Sequence, residues 1–158
     1  MAVKLRGIKL ADKQRILEIV KETRAFVEEE VTIAEEVIDT YLKDPEGSGY
    51  FFFVAEHKGE IAGYICYGPT PMTRGTWDMY WAAVNPKLHG QGIGSTLFKT
   101  AEEDIRKQGG RMILIETSSN PNYVAARSLY LTLGYEHVST IPDFYDPGDN
   151  AETFRKVL

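Results

Sequence analysis

Between His89 and Thr96 three glycines alternate with other residues, in the run His89-Gly90-Gln91-Gly92-Ile93-Gly94-Ser95-Thr96. An apolar, β-rich stretch from Trp77 to Val84 precedes it and an amphipathic segment follows. Glycine lets the main chain approach a bulky ligand closely, and the unpaired N–H groups of a helix start point at negative charge. The spacing therefore suits a ligand that carries phosphates. The ATP-binding pattern G-x-x-x-x-G-K-S/T is absent, and the dinucleotide fingerprint fails because position 95 is Ser95 rather than a third glycine. On spacing alone, a tight strand-to-helix turn is the plain structural alternative.

The surroundings of this loop bound what it can serve. The chain has 158 residues, 43% of them hydrophobic, enough for one domain with a real core, and no linker or repeat divides residues 1–158. A net charge of -5 without a stripe of Lys and Arg argues against nucleic acid. Cys66, the single cysteine, sits in the apolar run Ile61 to Tyr67 and reads as a buried strand thiol. No apolar stretch reaches the ~18 residues of a membrane span, and Met1 to Leu10 lacks a signal-peptide centre, so a cytoplasmic protein with no membrane partner is expected. His57 and His137 belong to no cluster at ligand spacing, and no metal is expected.

Periodicity supplies the elements. Val3 to Lys9 reads as a short strand, and Asp12 as the cap of a helix with Ile16, Ile19 and Val20 on one face. A second helix is expected from Thr32 and Glu35 at capping-box spacing, burying Ile33, Val37, Ile38, Tyr41 and Leu42. Tyr50 to Glu56 and Glu60 to Tyr67 form a hairpin across His57-Lys58-Gly59, and Trp77 to Val84 is the next strand. The helix after the glycines buries Leu97, Phe98, Ala101 and Ile105. Then come a strand (111–117), a helix (about 123–133) and two strands (135–140, 153–157). The order β-α-α-β-β-β-α-β-α-β-β predicts a mixed α/β (α+β) architecture: a mostly antiparallel central sheet with helices on both faces.

Two motifs in this order resemble the GNAT superfamily of acyl-CoA N-acyltransferases over nearly the whole chain. The first is the glycine run, similar to the family's loop of Arg or Gln, two residues, Gly, one residue, Gly or Ala, with His89 in place of the usual Arg or Gln. The second is Ala126-Arg127-Ser128-Leu129-Tyr130-Leu131-Thr132-Leu133-Gly134-Tyr135, which matches Ala-Arg-x-Leu/Phe-Tyr-x-x-x-Gly-Phe/Tyr. The resemblance implies a GNAT fold splayed between the fourth and fifth strands, with acetyl-CoA as cosubstrate. Its implied contacts are the main chain of Ala82, Ala83 and Val84 for the pantetheine arm. Those for the pyrophosphate are His89, Gly90, Gln91, Gly92, Ile93, Gly94 and Ser95. Arg127 and Tyr130 are added from the second motif. The asparagine that many members carry three residues before the motif is Tyr123 here, with Asn122 beside it.

The implied reaction is direct attack by a primary amine in a ternary complex. A lysine-like ammonium is about 3.4 units from neutrality at pH 7, so deprotonation costs about 4.6 kcal/mol and a general base is useful. Asp78 and Glu116 stand where two branches of the family carry a catalytic glutamate. A charge within Ile113-Leu114-Ile115-Glu116 would also be expensive to bury. Tyr130 is the expected proton donor to the departing thiolate. Phe144 and Tyr145 are expected on a loop between the last two strands, bordering the acceptor pocket. A small amine or amino-acid-like metabolite is the expected acceptor. A protein N-terminus or lysine is the alternative within the class, and a non-catalytic acyl-CoA sensor the alternative outside it. Members of the family often dimerise, so a homodimer accords with the resemblance, although no residue marks an interface.

Overall fold

The elements come together in one seven-stranded sheet ordered β1-β2-β3-β4-β5-β7-β6. A computed structural model describes residues 2–23 and 28–158. Along the chain run β1 (Lys4–Arg6), α1 (Lys13–Glu22), α2 (Glu28–Lys43), β2 (Phe51–His57), β3 (Glu60–Pro69) and β4 (Thr76–Val84). They are followed by α3 (Ile93–Lys107), β5 (Met112–Ser118), α4 (Val124–Thr132), β6 (Glu136–Asp146) and β7 (Asp149–Val157). Neighbouring strands are antiparallel except β4 and β5, which are parallel. The order and the mixed sheet agree with the sequence reading. In the β2–β3 turn Lys58 and Gly59 both have positive φ, as a two-residue hairpin requires.

Strand alternation divides the core into two layers. On one face Tyr67, Trp77, Met79, Ile113, Ile115 and Phe154 pack against Leu97, Phe98, Ala101 and Ile105 of α3. On the other, Phe52, Val54, Tyr64 and Cys66 meet Ile16, Ile19 and Val20 of α1 and Val37 and Ile38 of α2.

Four local expectations are corrected. Helix α2 already contains Glu28, so Thr32 lies inside it and donates its hydroxyl to the Glu28 carbonyl at 3.3 Å instead of capping. Its first turn holds Glu28, Glu29 and Glu30, which the positive end of the helix dipole favours. The buried stripe is Ala34, Val37 and Ile38, and Ile33, one residue round the helix, is exposed. Asp12 makes no side-chain cap to α1; its carboxylate accepts the Lys9 N–H at 2.7 Å and pairs with Arg6 of β1. Finally, β6 continues to Asp146, leaving Pro147 and Gly148 as the turn, so Phe144 and Tyr145 belong to a strand and not to a loop. Pro142 is tolerated because β6 is the terminal strand and no rung to β7 is made between Ile141 and Asp146, so its missing N–H breaks no ladder bond. The register slips between Ile141 and Asp146, with Asp143 at φ +56. That bulge is tied down by Asn150 Oδ1, which accepts the Asp143 N–H, and by Asp143 Oδ1, which accepts the Gly148 N–H.

The feature that positions the site is the parting of β4 from β5. Their rungs run from Thr76–Met112 to Met79–Ile115 and stop, although β4 continues to Val84 and β5 to Ser118. The cause lies on the β3 side. Cys66 faces Trp81 and Tyr67 faces Met79, so Tyr80 is the extra residue of a β-bulge. A bulge bends its strand and increases its twist. From Tyr80 onward β4 therefore leaves β5, opening a V.

Candidate active site

The glycine loop closes one end of the V. Gly90 and Gly92 have φ of +79° and +82°, and a Cβ at either would meet nothing within 4 Å. Glycine is thus required there by backbone conformation and not by crowding. Gly92 caps α3, whose first N–H groups, on Ile93, Gly94 and Ser95, have no acceptor within the helix. Thr96 satisfies the Gly92 carbonyl through its N–H at 3.0 Å and its hydroxyl at 2.9 Å. Gln91 is exposed beside these groups. The loop and helix start form an anion cradle of backbone donors.

One wall of the V is the free edge of β4, and the register decides which residues face it. The Asn85 N–H bonds the Ala62 carbonyl at 2.8 Å, so Val84 and Gly63 oppose one another without bonding. Val84, and Ala82 two residues back, therefore turn their N–H and C=O groups to the V, while those of Ala83 are turned to β3. His89 takes part of this edge: its Nε2 lies 2.8 Å from the Val84 carbonyl, linking the glycine loop to the strand. The Val84 N–H and both polar groups of Ala82 face the opening.

The three expected acid–base residues are distributed around this wedge. Tyr130, on α4, packs its ring against Phe98 and Phe154, both with centroids at 5.6 Å, and against Tyr135 at 6.4 Å. Its hydroxyl makes no hydrogen bond to a described residue, and burial pushes its pKa up to about 12. Glu116 is the first residue of β5 beyond the last rung shared with β4. It is exposed, so its place at the mouth of the V marks it, not desolvation. Its Oε2 accepts the Tyr145 hydroxyl at 3.0 Å. Asp78 lies within the paired part of β4, and Thr70 Oγ1 donates to it at 2.6 Å. By alternation Asp78, Leu114 and Glu116 face away from the α3 layer, whereas Tyr130 packs within that layer. Tyr130 and Glu116 therefore belong to opposite layers of the sheet.

Other expected residues have local duties. The Arg127 guanidinium donates to the carbonyls of Ser118 at 2.6 Å and Asn120 at 3.1 Å, fixing the turn after β5. The Asn122 N–H is held by Asn120 Oδ1 at 2.9 Å. The rings of Phe144 and Tyr145 are T-shaped, 4.9 Å apart, and exposed. Cys66 is buried, and burial pushes its thiol well above the usual range, away from the nucleophilic thiolate. Among the described residues no group of three His, Cys, Asp or Glu side chains is placed to hold a metal ion, and no helix is long and apolar enough to cross a membrane. The sequence reading missed Glu30, which accepts the Tyr123 hydroxyl at 3.0 Å, and Asp149, which accepts the Ser118 hydroxyl. Glu30 lay before the expected helix start at Thr32, and its partner Tyr123 is 93 residues away.

Residues 14–135, spanning both motifs and the parted strands, match the family model described as acetyltransferase (GNAT) family. The chain belongs to the GNAT family. A solved GNAT-family structure from Desulfovibrio desulfuricans is 35% identical, superposes with a TM-score of 0.95, and is matched over 99% of both chains. An uncharacterised N-acetyltransferase of Methanocaldococcus jannaschii is 31% identical over 103 residues, covering 63% of this chain and 62% of its own. N-acetyltransferase 8B of Rattus norvegicus is 32% identical over 104 residues, 64% of this chain and 45% of its own. The chain thus spans less than two thirds of the length of these two curated relatives. The GNAT fold accounts for the V between β4 and β5 and for the cradle at its end.

Proposed function

We propose that this GNAT chain moves acetyl from acetyl-CoA to the primary amine of a small molecule by direct attack in a ternary complex. The observation that carries the reading is the V itself, with a protonated Tyr130, its hydroxyl without a hydrogen bond among the described residues, in one layer and Glu116 at its mouth in the other. The residues present fit acetyl-CoA. Backbone donors of 90–95 suit its pyrophosphate, and the free main chain of Ala82 and Val84 suits an extended amide-bearing arm, which adds to the sheet like a strand. Bound there, acetyl-CoA supplies an activated thioester acyl group.

The chain's own groups supply the rest. The Val84 N–H, on the open edge, can donate to a carbonyl oxygen as negative charge builds on it. Glu116, with Oε2 held by Tyr145, is oriented to take the proton of an incoming ammonium, directly or through water, which offsets the cost of about 4.6 kcal/mol for exposing a neutral amine at pH 7. Tyr130 keeps its proton on Oη at neutral pH and gives it to the leaving thiolate. The burial of Cys66 favours direct transfer over an acylated enzyme. In Tyr130→Phe, amine-dependent thiol release should fall by about 100-fold while calorimetric affinity for acetyl-CoA stays within about twofold. Unchanged release would sink the assignment, and release with no amine present would sink the amine as acceptor.

A further inference from the structure

We infer that His89 makes acetyl-CoA binding proton-linked: a proton is taken up on binding, so that the ring holds the Val84 carbonyl through Nε2–H and offers Nδ1–H to the diphosphate. The inference rests on the acetyl-CoA reading of the glycine loop and names the residue that makes that site sensitive to pH.

The chain folds His89 back onto the strand it has just left. After Val84, Asn85 Oδ1 accepts the Lys87 N–H at 3.0 Å, and the Asn85 carbonyl accepts the Leu88 N–H at 2.8 Å. The Pro86 carbonyl accepts the His89 N–H at 3.3 Å, which completes the short turn Pro86–Leu88. This turn sets the ring against the edge of β4, with Nε2 2.8 Å from the Val84 carbonyl oxygen. A carbonyl only accepts, so Nε2 is the nitrogen that carries hydrogen. A neutral imidazole has one N–H, and this bond uses it, so Nδ1 is left as a bare lone pair. No described residue bonds Nδ1.

His89 leads directly into Gly90 and the unpaired N–H groups of Ile93, Gly94 and Ser95. Beside an anion held by those groups, the Nδ1 lone pair repels phosphate oxygen, whereas a second N–H donates to it. Binding therefore favours the imidazolium and draws a proton from solvent. The surroundings supply no other counter-ion. The end of β4 presents Ala82, Ala83 and Val84, the first turn of α3 presents Ile93, Gly94, Ser95 and Thr96, and α4 approaches Gly94 with Leu129, all uncharged. Lys87, a cation, is the nearest charge along the chain. No ion pair among the described residues involves His89 or Lys87. An Arg or Gln at this position donates at any neutral pH, so histidine alone adds a titration in the range of about pH 5 to 8.

Acetyl-CoA titrated into wild type and His89→Gln by calorimetry at pH 7, in two non-phosphate buffers of different ionisation enthalpy, counts the protons taken up. Glutamine keeps a donor for the Val84 carbonyl and cannot titrate. Wild type should take up about half a proton more than His89→Gln, and exchange at the ligand's own phosphates cancels in that difference. A ligand that raises a group's proton affinity binds best at low pH, so wild-type affinity should fall about fivefold more than that of His89→Gln from pH 6 to 8. By NMR, the ring signal absent from His89→Gln should titrate about one pH unit higher with acetyl-CoA than without it. Equal proton counts in the two proteins, or a ring midpoint that stays or falls on saturation, overturns the inference and leaves the glycine loop as the acetyl-CoA site. No binding to wild type overturns both.

Discussion

Tyr130 shows how much one side chain owes to its surroundings. Held among Phe98, Phe154 and Tyr135, its phenol is pushed up to about 12, two units above an ordinary tyrosine. The expected pH profile of kcat/KM therefore rises with the neutral fraction of the acceptor amine and shows no falling limb from Tyr130 below about pH 11. A limb centred near 10 that disappears in Tyr130→Phe would contradict the buried phenol. Stability carries the same signature. Between about pH 10 and 12 the unfolded chain has lost a proton that the native chain retains, so Tyr130 contributes fully below pH 10 and its contribution is lost as pH climbs to 12. Thermal midpoints of wild type and Tyr130→Phe should converge over that window. Tyr130 and the glycines were legible in the sequence because a helix motif and a turn are local. Glu30 and Asp149 were not, since Glu30 meets Tyr123 and Asp149 meets Ser118, each distant in the chain.

Among the elements, the loop that starts α3 is the most demanding of its sequence. Ala at position 92 would adopt φ near +82° at a cost of about 1–2 kcal/mol, with no clash to blame, since a Cβ there meets open space. Gly92→Ala should lower stability in urea by about that amount and weaken acetyl-CoA binding about tenfold in calorimetry, since relieving the strain re-aims the N–H cradle. Gly94→Ala should be milder: Gly94 lies within the helix, and a Cβ there would sit 3.5 Å from Leu129 Cδ2, an ordinary contact. Element order was readable from periodicity, yet two features escaped it. The Tyr80 bulge depends on how β4 registers against β3, and the length of β6 depends on its being the edge strand, which excuses Pro142. Apolar pattern and turn residues report neither register nor position in a sheet.

Across the whole molecule, a buried ionic cluster joins the layer that carries Tyr130. Glu102 of α3 is only 2% exposed; it accepts the Tyr135 hydroxyl at 2.7 Å and Lys156 Nζ of β7 at 3.0 Å, and Lys156 also donates to the Leu133 carbonyl at 2.8 Å. Glu102→Ala, which leaves the ammonium without its counter-charge, should cost about 3 kcal/mol in urea unfolding, and Glu102→Leu combined with Lys156→Met should restore much of it. The expected buried face of this helix, Leu97, Phe98, Ala101 and Ile105, left Glu102 out, because its partners Lys156 on β7 and Tyr135 just before β6 cannot be read from a helix. The amino-acid sequence by itself determined the order of elements, the glycine loop before α3 and the Tyr130 motif, because each rests on interactions within a turn or two of chain. Only the tertiary structure decided where β4 leaves β5, that Ala82 and Val84 rather than Ala83 face the gap, and that Tyr145 meets Glu116 and Tyr123 meets Glu30. The physical reason is that register and side-chain face are settled when separate segments pair, and one residue of slip reverses every side chain in a strand.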